Sequence, residues 1–203
     1  MAKFNEREGN SCHIHLSLRG SAGETVFWDD DSGRRTPLYD HFVAGVLATM
    51  QDLTLLYAPN VNSYKRFAAG SFAPTAVAWG LDNRTCAVRL VGRGASARME
   101  NRLPGGDVNP YLALAAMLAG GLHGIQNELA LEPELVGNAY HCDKPKVPQT
   151  LRAARDAFTQ STVARAALGD EVVDHYTNMA DVELAAFDAA VTDWELRRGF
   201  ERL

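Results

Sequence analysis

The stretch that decides the reading is Gly9-Asn10-Ser11-Cys12-His13-Ile14-His15-Leu16-Ser17-Leu18. As a strand it puts Ser11, His13, His15 and Ser17 on one face and Cys12, Ile14, Leu16 and Leu18 on the other. The apolar face can cover a core, and the polar face presents two imidazoles. A lone H-x-H is a weak motif, because exposed strand histidines are ordinary. Two imidazoles on one face nevertheless suit a metal ligand beside a group that binds substrate.

A second stretch, Arg98-Met99-Glu100-Asn101-Arg102, repeats the pattern with charge. On a strand Arg98, Glu100 and Arg102 share a face at intervals of about 7 Å. Two guanidiniums flanking a carboxylate suit a site that binds anions around a cation. Taken by itself, the triplet reads more simply as a solvated face whose charges pair. The third signal is a concentration of arginine. Arg66, Arg84, Arg89, Arg93, Arg98 and Arg102 fall within 37 residues that contain no lysine, Lys65 standing just before them. A surface built for solubility has no reason to prefer arginine so strongly, whereas recognition of phosphates and carboxylates does.

The rest of the chain bounds these signals. It has 203 residues, the length of one compact domain. Hydrophobic residues make up 46% and charged residues 22%, which excludes a disordered tail and a disulfide scaffold. With 20 Lys and Arg against 25 Asp and Glu, the net charge is -5, no footprint for generic nucleic-acid binding. Cys12, Cys86 and Cys142 stand in no CxxC pattern and read as reduced thiols, mostly packed in the core. No run approaches the roughly 18 apolar residues of a membrane span. The opening Met1-Ala2-Lys3-Phe4-Asn5-Glu6 lacks the apolar stretch of a signal peptide, so a cytoplasmic protein is expected. There is no HExxH and no Walker A motif, which disfavours zinc proteases and P-loop enzymes.

Strands and loops are expected through about residue 107, and helices beyond it. The spacing predicts strands at about 11–18, 85–91 and 97–103, and a hairpin or loop ending at Ser32-Gly33. Pro37 and Pro59 bracket a long helix from about Leu38 to Tyr57. A loop is expected from Asn60 to Pro74. Asn109-Pro110 caps and opens a helix to about Leu129, apolar nearly all round and therefore expected to be buried. A loop follows from Pro133 to Pro148, then helices at about 150–167, 171–179 and 181–198. His41, His123 and His175 read as packing or surface residues, and Phe187 and Trp194 as core.

Taken together these pieces resemble the C-terminal part of the glutamine synthetase catalytic domain, over nearly the whole chain and in order. Residues 9–18 resemble the family's G-x-G-x-H-x-H-x-S-L strand, and Asn62-Ser63-Tyr64-Lys65-Arg66-Phe67 its N-S-Y-K-R loop. Asn83-Arg84, Arg89, Glu100-Asn101-Arg102 and Asn109-Pro110-Tyr111 follow at the family's spacing. The resemblance implies an α+β fold: antiparallel strands of a half-barrel sheet backed by helices, with a helical C-terminal half.

It further implies an ATP-dependent ligase that forms a γ-glutamyl amide from glutamate and ammonia or a primary amine, through γ-glutamyl phosphate. On that reading His13 and Glu100 are ligands of magnesium or manganese. Gly9, Arg66 and Arg102 hold glutamate, and His15, Ser17, Arg84, Arg89 and Arg98 line the ATP site. Arg84 and Arg102 serve the catalytic step, since a cation and several arginines stabilise charge on a transferring phosphoryl group.

The sequence departs from the family in two places besides Ala95, which stands near where a lysine is often found. Where the family loop presents a glutamate in G-Y-E-A-P, this chain has Gly70-Ser71-Phe72-Ala73-Pro74. Phe72 can neither hold ammonium by charge nor act as a base, but can pack on the alkyl part of a larger amine. That form resembles the γ-glutamylpolyamine synthetase-like branch. The second departure is length. Residues 1–203 are read as a single domain, the C-terminal portion of a catalytic domain without the N-terminal domain and early catalytic segment. The isolated chain is therefore expected to be inactive, and its full-length parent a homo-oligomer without nucleic-acid or membrane partners. The alternative is a non-catalytic binding or assembly module of the same family.

Overall fold

The computed structural model describes residues 2, 4, 6–200 and 202; three of the six residues used to argue against a signal peptide lie outside them. Strand β1 spans Ile14–Leu16, shorter than the sequence pattern suggests. A hairpin of β2 (Trp28–Asp29) and β3 (Arg34–Arg35) follows, its turn closed by Gly33 at a φ of +65°. Thr36 then caps helix α1 (Pro37–Ala48), its hydroxyl accepting from the Tyr39 N–H with Pro37 in the first turn.

The long helix expected to Tyr57 breaks after Ala48 and resumes as α2 (Thr54–Tyr57). The buried Thr49 hydroxyl donates back to the Gly45 carbonyl, and that of Thr54 to Met50. Such back-bonding competes with the backbone ladder and marks the break. Within the expected loop at 60–74, Val61–Arg66 winds into a 3₁₀ helix.

β5 (Val88–Val91) and β6 (Arg98–Asn101) are the other two strands read from the sequence. A further strand, β4 (Trp79–Leu81), was not, and it pairs with β5 in parallel. The open four-stranded sheet, ordered β1-β6-β5-β4, is thus mixed, antiparallel except at that edge. The missed strand is short and contains Gly80, whose Cβ would stand 2.8 Å from Asn83 Cβ, so neither length nor alternation announces it.

The helical layers follow. Asn109 caps α3 (Pro110–Gln126), accepting from the Tyr111 N–H as its sequence suggests. α3 lies against α1 at backbone contact, since a Cβ on Gly45 would fall 2.1 Å from the Gly120 carbonyl oxygen. Its opposite face is open: Tyr111, Leu114, Leu118 and Leu122 are exposed, so the helix is half buried. Ser161 divides the predicted 150–167 helix into α4 (Leu151–Gln160) and α5 (Thr162–Leu168), capping α5 with its hydroxyl. The predicted break near residue 180 is absent. α6 runs unbroken over Asp170–Ala189 because Ala180 and Leu184 are buried together in one core face. α7 (Asp193–Gly199) ends the described helices, and Trp194, expected in the core, is 68% exposed, with Phe187 also outside.

One core joins the two halves. Phe27, Phe42, Met50, Met99, Met117 and Phe158 are buried in it together, so sheet and helices share a single apolar interior. Cys86 is buried while Cys12 and Cys142 are half-buried, and all three are free thiols. No helix among the described residues is long and apolar enough to cross a membrane.

Candidate active site

The register of the sheet builds the site. His15 stands opposite Glu100 on β6, and Glu100 stands opposite Arg89 on β5. Because side chains alternate, Ile14, Leu16 and Met99 turn toward the core while His15, Glu100 and Arg89 make a row on the other face. Arg98 and Arg102 flank Glu100 along β6, as the spacing predicts.

Glu100 is the centre of this row. Only 3% exposed, its Oε2 accepts from Arg89 Nη1 at 3.0 Å and its Oε1 from Arg102 Nη1 at 3.0 Å. Burial alone would raise its pKa; the hydrogen bond from Arg89 and the charge of Arg102 outweigh it and hold the group below the ordinary carboxylate value. Arg89 is anchored from its other side by Asp82.

His13 Nδ1 lies 3.1 Å from Glu100 Oε1 and 3.4 Å from Arg102 Nη1. Burial first, then the Arg102 charge, lower its pKa against the pull of Glu100, so the ring is neutral at pH 7. Neutral imidazole is the form that offers a lone pair to a cation. His15 is turned the other way: its Nδ1 accepts from Arg98 Nε at 3.2 Å, and its Nε2 lies 3.7 Å from Glu100.

The donor set therefore contains one imidazole nitrogen and one carboxylate oxygen 3.1 Å apart, close enough to share one cation. Among the described residues no group of three or more His, Cys, Asp or Glu side chains is placed to hold a metal. The two donors suit magnesium or manganese as part of a coordination shell. Both oxygens of Glu100 are engaged by arginine, so a cation there competes with Arg102 for Oε1.

Arg66 and Arg102 give the site its reserve of positive charge. Each is 4% exposed, and each keeps a buried Nε with no protein partner. Arg66 reaches the Leu103 carbonyl and lies over the Phe67 ring at 5.0 Å. Burial, aided by the repulsion of Arg102, pulls its pKa down to about 10, still protonated at neutral pH. Two buried guanidiniums that repel each other, with donors unspent, are arranged for an anion.

Above them the loop at 68–74 presents Phe72, 58% exposed and at a φ of +58°. A bulky residue there costs of order 1 kcal/mol, strain of the kind that collects at ligand sites. Its carbonyl accepts from Arg102 Nη2 at 3.3 Å, which ties the loop to the arginine, and the neighbouring Ala73 carbonyl accepts from Tyr140.

The remaining sequence candidates lie around this centre. Arg89 and Arg98 line a cavity of about 960 Å³, together with Trp28, Arg34, Tyr39 and Arg93. Ser17 and Arg84 are exposed and Gly9 is half-buried; none of the three lines that cavity. Arg84 lies near enough to Asp82 and Arg102 for its charge to act on both. The lead-in to β1 runs beside residues 104–106, with Cys12 N–H donating to the Pro104 carbonyl at 2.9 Å. Sequence reasoning missed Asp82 as the anchor of Arg89, and the wall contributed by the β2–β3 hairpin. Neither has a local signal, because each works through a residue distant in the chain.

An open mixed sheet thus carries a histidine, a buried carboxylate and two buried arginines with unspent donors on one face. The chain belongs to the glutamine synthetase family, whose catalytic domain matches residues 1–199. It is 62% identical over 203 residues to the gamma-glutamylethanolamide synthetase of Streptomyces coelicolor, covering 100% of this chain and 44% of that protein. Against the gamma-glutamylputrescine synthetase of Escherichia coli it is 38% identical over 97% of this chain and 42% of that one. A solved structure of ligand-free GmaS superposes with a TM-score of 0.88 at 33% identity, over 98% of this chain and 46% of that one. The chain thus spans less than half the length of these relatives.

Proposed function

We propose that residues 1–203 are one domain, the C-terminal portion of the catalytic domain of an ATP-dependent glutamate–amine ligase. The reaction phosphorylates the γ-carboxylate of glutamate with ATP, and a primary amine then displaces the phosphate to give a γ-glutamyl amide. The observation that carries this reading is the pair Arg66 and Arg102, buried, cationic and with unspent Nε donors beside the His13–Glu100 pair.

Arg66 and Arg102 bind the glutamate carboxylate, with the backbone at Gly9 on the same side. Arg102 and Arg84 stabilise negative charge on the transferring phosphoryl group. Arg89, Arg98, His15 and Ser17 hold ATP. His13 and Glu100 would hold magnesium or manganese, whose charge would neutralise phosphate oxygens. Phe72 stands where the entering amine approaches; an exposed ring there packs on alkyl carbons and supplies no charge for ammonium. The site draws on residues outside this chain, so the chain alone does not turn over, and the full-length protein is a homo-oligomer working in the cytoplasm.

Phosphate release and amide formation with ATP, manganese and glutamate test this in the full-length protein, with ethanolamine, putrescine and ammonium supplied separately. A preference for a larger amine, reduced about tenfold by Phe72→Ala, is expected; that factor equals the removal of one aromatic contact. Equal turnover with ammonium overturns the assignment of Phe72. No turnover with any amine leaves the chain a binding module.

A further inference from the structure

The cavity beside the Glu100 row holds a hydroxyl that the fold does not explain. Tyr39 is 1% exposed, its ring stacked on Phe27 at a centroid distance of 4.2 Å. Thr36 fixes it: the Thr36 hydroxyl donates to the Val26 carbonyl at 2.6 Å and accepts from the Tyr39 N–H at 3.2 Å. The hairpin and the first turn of α1 are thereby tied together. Yet the phenolic hydroxyl, buried at its tip, has no protein partner. Buried tyrosine hydroxyls normally find one, and phenylalanine would fill the same space without leaving a polar atom unpaired.

The surroundings say what such a hydroxyl can meet. Tyr39 lines the cavity of about 960 Å³, and the charges of Arg35, Asp40 and Arg98 all reach it. Arg35 is committed to Asp40 at 2.8 Å, and Arg89 to Asp82 and Glu100. Arg98 donates to His15 Nδ1 and the Ser96 carbonyl and meets no carboxylate in an ion pair among the described residues, so its charge is not cancelled. With Arg34 and Arg93 on the same wall, the cavity keeps a surplus of positive charge that suits a polyanion.

We infer that Tyr39 is a ligand-contacting residue of this cavity, its hydroxyl donating a hydrogen bond to an oxygen of a nucleoside polyphosphate held by Arg98. This rests on the proposal that Arg98 belongs to the ATP site, and adds a residue that no motif in the sequence marks.

The test is Tyr39→Phe in the full-length protein, with thermal unfolding of the free protein and binding of ATP, adenosine and inorganic tripolyphosphate, each with magnesium. The free variant unfolds at the same temperature or higher, since an unpaired buried hydroxyl has been removed. Its ATP affinity falls about tenfold, the value of one hydrogen bond. A matching loss for tripolyphosphate puts the contact on a phosphate, and a loss for adenosine puts it on the nucleoside; either supports the inference. Equal ATP affinity in the two proteins overturns it, as does a lower unfolding temperature of the free variant, which assigns the hydroxyl to the fold. Failure of the unmodified full-length protein to bind ATP at all overturns the nucleotide reading itself, and the inference with it.

Discussion

The sheet and the C-terminal helices use the same charged pairs for opposite ends. On the sheet, Arg89 and Arg102 meet Glu100 in a nearly dry environment, at 3.0 Å each. Across α4–α6, Arg152 meets Asp188 at 2.5 Å and Arg165 meets Asp170 at 2.8 Å, but each pair is open to solvent. Similar distances thus carry different energies. Water screens the helical pairs to little or nothing, whereas the buried cluster has lost its hydration and depends on its partners. The difference also separates a site from a surface, because groups already desolvated can bind a small anion without paying that cost again.

Removing one charge at each end tests this contrast. Glu100→Gln leaves Arg89 and Arg102 buried without their anion. We expect the largest effect there, a loss of about 3 kcal/mol in denaturant unfolding and a fall in turnover of at least 10³-fold in the full-length enzyme. A loss below about 1 kcal/mol would mean the cluster is hydrated and the contrast false.

Gly45→Ala probes the α1–α3 contact beneath both regions. Its Cβ meets backbone, so a loss of about 2–3 kcal/mol should follow, read as a lower unfolding midpoint at unchanged slope. An undisturbed midpoint would show that the two helices can move apart.

Asp107 offers an intermediate case. Burial raises its pKa, but hydrogen bonds from Ser63 at 2.5 Å and Asn60 at 2.8 Å prevail and lower it. The folded state therefore binds fewer protons than the unfolded one. The contribution is complete above the ordinary carboxyl value of about 4 and is lost as pH falls through the lower native value. Asp107→Asn should cost about 1 kcal/mol at pH 7 and flatten the acid side of the stability profile. An unchanged acid limb would remove Asp107 from the account. At the small end, Arg152→Ala should change stability by less than about 0.5 kcal/mol, with any effect vanishing in high salt.

Much of this contrast was legible in order along the chain. Alternation in Ser11–Leu18 and Arg98–Arg102 placed the imidazoles and charges on common faces, and the register then brought His15, Glu100 and Arg89 into one row. The cap at Asn109 was equally readable, because Asn before a proline-opened helix is a local signal. Boundaries that depend on burial were not. The continuity of α6 through Ala180 and the division at Ser161 are decided by which small residues reach the core. Trp194 has helical spacing and yet stands in solvent, since periodicity shows a face and not what lies against it.

The sequence by itself determined the family, the strand faces and the residue types at the site, for these follow from periods of two and 3.6 and from local motifs. Tertiary structure alone decided that Glu100 spends both oxygens on arginines, that Arg66 and Arg102 keep Nε donors free, and that Tyr39, its hydroxyl unpartnered, lines the same cavity as Arg98. Each of those facts joins groups distant in the chain, and desolvation, which gives them their energy, exists only once the sheet has closed over the core.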